Sequence, residues 1–374
     1  MNSTNNLIET VLDDTITFKK LAQVARIRNG RDHKSLGDGP VPVYGTGGIM
    51  TSVDTAAYTK PSVLIPRKGS LNKLYYVDKP FWTVDTIFYT EIADCILPKF
   101  LYYYLLSQRL ERLNQAGGVP SLTQAVLNEL KIPVPPLEIQ REIVRILDTF
   151  SALEAELEAE LEARKRQYDC YFARVFAACN DAPTRKLAEV SAVYDSLHKT
   201  PPYVATGFSM IRVTDIKGGY VDETQTLKVD PETFLEFTRK YVPKLNDIAI
   251  SRVGSYGNFA IIASECQTCM GQNTAIINPF INPKYLYYAL QTEIARLFIE
   301  GAVGGGSQKT LSLANIREIP IIVPPLSVQA KVVDALDKFE ALVTDLNSGL
   351  PAELEARRKQ YEYFRERLLT FKEA

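Results

Sequence analysis

Residues 135–176 read PPLEIQREIVRILDTFSALEAELEAELEARKRQYDCYFARVF, and this stretch decides the fold. Pro136 marks a helix start, because proline fits the first turn of a helix but cannot continue one that precedes it. Behind it, apolar residues recur at steps of three and four, which is typical of a helix that packs against another helix. They are Ile139, Ile143, Ile146, Phe150, Leu153 and Leu157. Before Ala182-Pro183 ends it, roughly forty residues at 1.5 Å each make a rod about 60 Å long.

The opening and the close of this rod return later in the same chain. PPLSVQ from Pro324 answers PPLEIQ at an offset of about 189 residues, a spacing that indicates an internal repeat. LEARRKQY from Leu354 likewise answers LEARKRQY from Leu161. The second copy is longer by one tetrad and contains Gly349 and Pro351. Because both residue types are costly inside a helix, we expect a break near Ser348–Pro351 and two helices in the second rod.

The segments that precede the two rods are related more weakly. KLAQV from Lys20 is answered by KLAEV from Lys186, and PKFLYY from Pro98 by PKYLYY from Pro283. The centres between these anchors barely resemble each other. A shared frame around divergent centres predicts two modules that do one job on two different targets, in the order module, rod, module, rod.

Each module is expected to combine a curled sheet with a helix at its C-terminal side, an α+β arrangement. The apolar runs have the length and residue types of strands. In the first module we predict strands at Ser62–Ile65, Leu74–Val77 and Pro80–Tyr89 and a helix at Phe100–Leu106. In the second we predict strands at Phe208–Val213, Ile248–Val253, Phe259–Ala263 and Thr274–Ile277 and a helix at Tyr285–Ile299.

The composition is that of an ordinary soluble globular protein, with 46% hydrophobic and 23% charged residues among 374. No apolar run approaches the roughly 18 residues that a membrane span needs, and the N-terminus does not resemble a signal peptide. Five cysteines without a disulfide framework fit a reducing cytoplasm. The net charge of −1 conceals slightly basic modules and an acidic first rod, which permits DNA binding without arguing strongly for it.

No complete active site stands out among the motifs. Gly45-Thr46-Gly47-Gly48 lacks the lysine and hydroxyl residue of a phosphate-binding loop, and a turn is the simpler interpretation. Cys266 and Cys269 have no second pair at zinc-finger spacing, so we expect no metal site. The Thr200-Pro201-Pro202-Tyr203 segment resembles a methyltransferase loop, but its first residue is wrong and no S-adenosylmethionine loop accompanies it.

Binding chemistry remains, and it lies in the parts that the two halves do not share. Arginine, asparagine and glutamine suit purine edges in a major groove, whereas lysine, serine and threonine suit phosphates. Any one of these residues alone is better explained as a solvated loop residue; together they gain weight. The first-module candidates are Thr46, Arg67, Lys68, Lys73, Trp82, Thr83, Asp85 and Ser121. The second-module candidates are Arg212, Thr214, Arg252, Ser255, Tyr256, Gln272, Asn273, Ser307, Gln308 and Lys309. Loops 117–123 and 304–310 precede apparent helices, so their N–H groups could hold a phosphate.

These motifs together resemble the specificity subunit of type I restriction-modification systems. The resemblance rests on PVYGTGGIM from Pro42, PFWTVDT from Pro80, the repeated PPLxxQ and the rods that close on Lys/Arg-Gln-Tyr. It implies two target-recognition domains, each reading half of a bipartite DNA site, and two helical spacers that pair as an antiparallel coiled coil with a pseudo-twofold repeat. The domains would then span 1–135 and 183–324, and the spacers 136–182 and 325–374.

The resemblance also implies partners for the spacers. Methyltransferase subunits, two of them, would dock there and carry S-adenosylmethionine, and restriction subunits would use ATP and Mg²⁺. The chain itself would hold no cofactor and catalyse nothing. The residues expected on the docking helices are Gln140, Phe150, Leu153, Leu157, Leu161, Gln167, Tyr168, Gln329, Phe339, Leu342, Leu354, Gln360 and Tyr361.

Two other interpretations remain open from the residues alone. A structural coiled-coil adaptor with two protein-binding modules explains the rods, but not the divergent centres inside matching frames. A stand-alone methyltransferase predicts crosslinking of S-adenosylmethionine to the isolated chain. A salt-dependent shift of a DNA duplex by the chain with methyltransferase subunits favours the specificity subunit over both.

Overall fold

The structure is a computed structural model that describes residues 15–114, 118–265, 267–303, 309–344 and 350–373. The chain divides into two compact units, the first made of Met1–Glu160 with Ala352–Ala374 and the second of Leu161–Pro351. No helix in the described ranges is long and apolar enough to cross a membrane.

The helices of the described ranges are α1 (Leu21–Val24), α2 (Pro98–Ser107), α3 (Gln124–Asn128), α4 (Leu137–Ala177), α5 (Leu187–Val190), α6 (Pro231–Phe237), α7 (Pro283–Ala289), α8 (Glu293–Ala302), α9 (Leu313–Arg317), α10 (Leu326–Thr344) and α11 (Leu350–Leu368), with short 3₁₀ helices at Leu110–Leu113 and Val213–Asp215.

The strands are β1 (Thr15–Ile16), β2 (Phe18–Lys20), β3 (Ala25–Asn29), β4 (Val41–Gly45), β5 (Gly48–Val53), β6 (Ser62–Pro66), β7 (Tyr75–Val77), β8 (Trp82–Thr83), β9 (Ile87–Ile92), β10 (Lys131–Pro133), β11 (Thr184–Lys186), β12 (Ser191–Asp195), β13 (Phe208–Ile211), β14 (Leu227–Val229), β15 (Ile248–Ser251), β16 (Phe259–Ile261), β17 (Thr268–Met270), β18 (Thr274–Pro279), β19 (Pro320–Ile322) and β20 (Lys372–Glu373).

The first unit is built on a four-stranded antiparallel sheet in the order β3-β9-β6-β7. Strand β6 is buried along its whole length, which explains its continuous run of apolar residues. Helix α2 covers one face, and its Phe100 and Leu101 join the same buried cluster as Val63 and Ile65 of β6. A three-stranded sheet, β5-β4-β8, accompanies it, with β4 and β8 parallel.

The second unit repeats this topology strand for strand. Its large sheet runs β12-β18-β15-β16, and its small sheet runs β14-β13-β17 with β13 and β17 parallel. Backbone hydrogen bonds fix the equivalence: Ala93 N donates to Val24 O at 2.9 Å, and Phe280 N donates to Val190 O at 2.8 Å. The α+β class and the internal repeat predicted from the sequence are therefore confirmed, including in the centres where the sequences had diverged.

Two predicted elements are wrong in their continuity. The strand predicted at Pro80–Tyr89 is two strands, β8 and β9, that belong to different sheets. The helix predicted at Tyr285–Ile299 is two helices, α7 and α8. The hydroxyl of Thr292 donates to Ala289 O at 2.7 Å, and Thr292 occupies the N-cap of α8. Threonine there offers the backbone an alternative to a continuous helix.

The first rod is one helix of 41 residues that begins directly after Pro136, as predicted. The second rod contains α10 and α11. Ser348 and Gly349 lie outside the described residues, so the break expected there stays a prediction. Pro351 lies in the first turn of α11, where a missing N–H costs no hydrogen bond.

Candidate nucleic-acid interface

One end of the large sheet in the first unit gathers candidates from three distant parts of the sequence. Arg67 follows β6, and its backbone N donates to Thr86 O at 2.9 Å. Its carbonyl accepts from Leu122 N at 2.9 Å. The end of β6 is thus held between the turn before β9 and the loop before α3.

Further contacts complete this sheet-end cluster. Lys68 and Ser121 form an isolated antiparallel bridge. The hydroxyl of Thr46 donates to Thr86 O at 2.8 Å, which brings the β4–β5 turn to the same place. Arg67 Nη1 donates to Asp85 O at 3.3 Å. The structure therefore brings together Thr46, Arg67, Lys68, Asp85 and Ser121.

The second unit builds the same frame with different residues. Arg252 N donates to Asn273 O at 2.9 Å, and Leu311 N donates to Arg252 O at 2.8 Å. Val253 and Thr310 form an isolated bridge that corresponds to the one between Lys68 and Ser121. Arg252 is therefore the structural counterpart of Arg67.

The two arginines nevertheless differ in their surroundings. Arg252 Nη1 donates to Asp195 Oδ1 at 2.5 Å and its Nε donates to Leu311 O at 3.2 Å. Its side chain is only 12% exposed. Arg67 is half-buried and lies over the ring of Phe88, 5.9 Å from its centroid, with no carboxylate partner among the described residues. Arg67 is available to a ligand, whereas Arg252 holds its own unit together.

Other first-unit candidates take different positions. Lys73 is exposed. Thr83 is fully buried, so its side chain does not reach the surface. The indole Nε1 of Trp82 donates to Arg31 O at 2.9 Å. Trp82 and Thr83 therefore hold the backbone of Arg31, the residue to which both are hydrogen-bonded.

In the second unit, Arg212 Nε and Nη2 donate to the Asp215 carboxylate at 3.1 and 3.2 Å. Gln272 lies near the hydroxyl of Thr200, 3.3 Å from its Oε1. Lys309 lies over the ring of Tyr256, 5.9 Å from its centroid. Thr214 is exposed in the short 3₁₀ helix Val213–Asp215, Ser255 is an exposed loop residue, and Ser307 and Gln308 lie outside the described residues.

Three arginines escaped the sequence prediction. Arg26 and Arg28 lie on β3, the edge strand of the large sheet, and Arg31 follows it. They line a polar groove with Glu91 and Gln124. The signal is present as basic residues that alternate with buried Ala25 and Ile27, but an alternation over only five residues does not identify an edge strand.

The spacer candidates pair by aromatic contacts within each unit. In the first unit, Phe150 of α4 stacks on Phe364 of α11, with centroids 5.2 Å apart, and lies 6.3 Å from Tyr361. In the second, Phe339 of α10 lies 6.0 Å from Tyr168 of α4. Since Phe150 matches Phe339 and Tyr168 matches Tyr361 in the repeat, the two contacts are the same contact made twice.

Ion pairs give the direction of this pairing in the first unit. Arg358 lies one turn before Tyr361, and its guanidinium donates to Glu154 Oε1 at 2.7 Å and to Glu158. These glutamates follow Phe150, so α4 and α11 run antiparallel there. Leu153 is 38% exposed and Gln167 is exposed, whereas Leu354 is buried. Leu157, Leu161 and Gln360 are half-buried, and nothing is described of the Leu342 side chain.

Gln140 and Gln329 are buried at the junctions between modules and spacers. Gln140 Oε1 accepts from Leu97 N at 2.8 Å, and its Nε2 donates to the carbonyls of Cys95 and Pro135. Gln329 accepts from Asn282 N at 3.1 Å and donates to Pro324 O at 2.8 Å. These contacts lie inside the chain, and both side chains are buried, so the docking role predicted for the two glutamines stays a prediction.

A second polar link joins each module helix to its spacer. Lys99 and Tyr103 of α2 both donate to Asp148, each at 2.7 Å. Lys284 and Tyr288 of α7 donate to Asp337 at 2.8 and 2.6 Å. Burial, reinforced by the carboxylates, raises the pKa of Tyr103 and of Tyr288 well above the ordinary tyrosine value. These tyrosines therefore stay neutral donors at physiological pH.

Comparison with known proteins decides the family. The model of the "Type I restriction modification DNA specificity domain" matches residues 13–163 and 195–356. The chain belongs to this family. Each match spans one module and part of the spacer that follows, so the family domain occurs twice.

Curated relatives of the specificity family resemble the chain over most of its length. A Haemophilus influenzae chain named as a type I restriction enzyme specificity subunit is 29% identical over 99% of this chain and 100% of its own length. A specificity subunit of an Escherichia coli type I restriction enzyme is 30% identical over 74% of this chain and 71% of its own.

Solved structures of the specificity family share the fold. The S subunit of a type I restriction-modification system from M. genitalium superposes with a TM-score of 0.61 at 18% identity, covering 96% of this chain and 98% of that one. The fold of two recognition modules on helical spacers is thus that of the family.

Proposed function

We propose that this chain reads a bipartite DNA site, with one half-site for each module, and that its spacer helices fix the gap between the halves. One observation carries the proposal. The same backbone frame brackets Arg67 in one unit and Arg252 in the other, but the side chains around it differ. An invariant frame with variable side chains suits two readers of different sequences.

The partners follow from family membership and from the spacers. Two methyltransferase subunits dock on the spacer helices and bring S-adenosylmethionine, while restriction subunits bring ATP and Mg²⁺. The half-exposed apolar side chains of α4, such as Leu153, support such docking. The chain itself supplies recognition without catalysis and acts in the cytoplasm, where the chromosome is. The domain bounds proposed from the sequence, 1–135, 136–182, 183–324 and 325–374, describe its parts.

Exchange of one module centre tests this function. Met210–Ile277 is replaced by the same region of a relative, and methylated adenines are mapped by sequencing DNA from cells that express the hybrid with its partner subunits. We expect one half-site to change and the other to stay.

The reciprocal exchange of Val41–Tyr89 is the matched control and should change the other half. A hybrid that is folded by circular dichroism but changes both halves would refute modular reading.

A further inference from the structure

The edge of the first unit's large sheet carries a positively charged groove, and the arginines of its edge strand have no counterpart on the matching strand of the second unit. Arg26 and Arg28 stand at alternate positions of β3, and Arg31 follows two residues after the strand ends. The groove also contains Glu91 and Gln124, and its volume of about 530 Å³ is in the range of ligand clefts. Arg28 Nε donates to Glu91 Oε1 at 2.9 Å, so the one carboxylate of the groove pairs with one of its three guanidinium groups.

Two of these guanidinium groups are free to bind a ligand. Arg26 and Arg31 are exposed, and within the described ranges neither side chain has a hydrogen-bond or ion-pair partner. Arg28 is half-buried beside Glu91, its side chain 35% exposed. The groove thus keeps a net positive charge after its internal pair is formed.

The arginines are held in place by the protein backbone. Arg31 N donates to Thr83 O at 2.7 Å, and Arg31 O accepts from Trp82. This close approach requires Gly30, because a Cβ there would lie 2.0 Å from Val84 O. On the other side, Gln124 Nε2 donates to Asn29 Oδ1 at 3.1 Å. The groove is a built surface whose backbone is fixed at both sides.

The groove adjoins the sheet-end cluster. Gln124 contacts the end of β3, and two residues earlier Leu122 contacts Arg67. Arg26 and Arg28 are two strand residues apart, about 6.6 Å at 3.3 Å per residue. The phosphates of one DNA strand advance by about 3.4 Å along the duplex axis at each nucleotide and also wind around that axis, so neighbouring phosphates are further apart than this rise. The spacing of the two side chains therefore suits a phosphate backbone.

The matching strand of the second unit has no such charge. The paired hydrogen bonds that equate Val24 with Val190 place Ala192 at the position of Arg26 and Tyr194 at that of Arg28. Leu197 stands at the position of Arg31. Tyr194 instead stacks on Tyr241, with centroids 3.9 Å apart. The asymmetry lies in the side chains, since the backbone is the same.

We propose that Arg26, Arg28 and Arg31 bind the phosphates of one DNA strand beside the first half-site. The first module then supplies a salt-dependent anchor that the second module does not match. This proposal rests on the proposed function of DNA recognition. It adds that the first module contributes more of the electrostatic attraction to phosphates than the second. Lysine or arginine at phosphates carries affinity without sequence information, so these residues hold the duplex and do not read it.

The test replaces the two unpaired arginines together, as Arg26→Gln with Arg31→Gln. The control, Lys60→Gln with Lys79→Gln, removes the same charge from exposed residues at the opposite end of β6 and β7. Duplex binding by the full chain with its methyltransferase subunits is measured across a salt series, on a methylation-mapped site and on random DNA. Each phosphate contact contributes about 0.9 to the slope of log K against log salt, so the arginine variant should lose about 1.8.

Other variants and outcomes sharpen the result. Arg26→Lys with Arg31→Lys should keep most of the slope, because an ammonium also binds phosphate as a point charge. The methylated sequence should stay unchanged in every variant. An arginine variant that keeps the wild-type salt slope overturns the proposal while DNA recognition stands. An arginine variant that binds DNA less only because it has lost its methyltransferase subunits or aggregates also overturns it. A changed methylated sequence overturns it as well, because it indicates base contact. If the wild type binds no duplex, the proposed function falls and this proposal falls with it.

Discussion

Arg67 and Arg252 show how one backbone position serves different ends. Both are bracketed by the same pair of backbone hydrogen bonds. Arg252 also forms an ion pair with Asp195, and that pair is largely removed from solvent. Removing one partner of a buried pair leaves an uncompensated charge and costs about 3–5 kcal/mol. Arg67 has no carboxylate partner among the described residues, so its charge is not neutralised within the protein.

We therefore predict that the two alanine variants fail in different ways. Arg67→Ala should weaken DNA binding with little loss of stability: by about 1–3 kcal/mol at one position if it reads a base, or alike on all sequences if it holds a phosphate. Arg252→Ala should lower the free energy of unfolding by about 3 kcal/mol. Denaturant unfolding and duplex binding of both variants check this. Equal stability of the two variants would contradict the structural role of Arg252.

The sequence located the sheet-end loops but not the state of each side chain within them. Residue type alone marked Arg67 and Arg252 as equals, because burial and ion pairing depend on what folds against them. Thr83 has a hydroxyl that suits a phosphate, but the structure buries this side chain. The position of Arg26 and Arg28 at the sheet edge depends on how β3 pairs with distant strands, which the local sequence does not show.

At the scale of elements, each module is fixed to its spacer by a buried glutamine in the first turns of a long helix. Gln140 satisfies one backbone N–H and two carbonyls, whereas Gln329 satisfies one N–H and one carbonyl. Leaving a buried backbone group without a partner costs about 1–3 kcal/mol. The junction of the first unit thus depends more on its glutamine.

We predict that Gln140→Leu lowers the free energy of unfolding by about 1 kcal/mol or more for each of the three backbone groups that it leaves unpaired. Gln329→Leu leaves two such groups unpaired and should have a smaller effect in the same direction. Leucine fills a similar volume but leaves the backbone groups unpaired. Urea unfolding of both variants measures the difference. A larger loss in Gln329→Leu would show that the hydrogen bonds do not set the strength of the junction.

Element prediction succeeded where one signal dominated and failed where two competed. Helix α4 was bounded well because Pro136 and a long periodic pattern agree. The run Pro80–Tyr89 looked like one strand by residue type. However, Val84 N donates to Tyr44 O and Arg67 N donates to Thr86 O, so its middle serves two sheets. This division between two sheets is determined by pairing with distant strands, and the local sequence does not indicate it.

At the scale of the whole molecule, each compact unit contains parts of both spacers. The first unit contains the start of α4 and most of α11, and the second contains the end of α4 and all of α10. Phe150 therefore meets Tyr361 where its counterpart Phe339 meets Tyr168. The repeat of PPLxxQ and Gln-Tyr in the sequence predicted this pairing of ends, because each end of one rod has its partner motif in the other.

The tetrads of α4 allow a test of whether its length sets the gap in the DNA site. Deleting Leu157–Glu160 removes four residues, which shortens the helix by about 6 Å and turns it by only about 40°. Leu161 and Glu162 then take the places of Leu157 and Glu158, so Arg358 again meets a glutamate. Packing should survive. Since a base-pair step rises about 3.4 Å, we predict a gap shorter by one or two base pairs.

A smaller deletion is the control for this prediction. Removing only Glu158 and Ala159 turns all that follows in the helix by about 200°, which places polar residues on the packed seam. That variant should lose assembly with the methyltransferase subunits and all methylation. Sequencing of methylated adenines in cells expressing each variant gives both gaps and half-sites. In the four-residue deletion the half-sites should be unchanged, because neither module is altered. An unchanged gap in that folded variant would mean that the helix is not a ruler, and that the modules find their half-sites by another constraint.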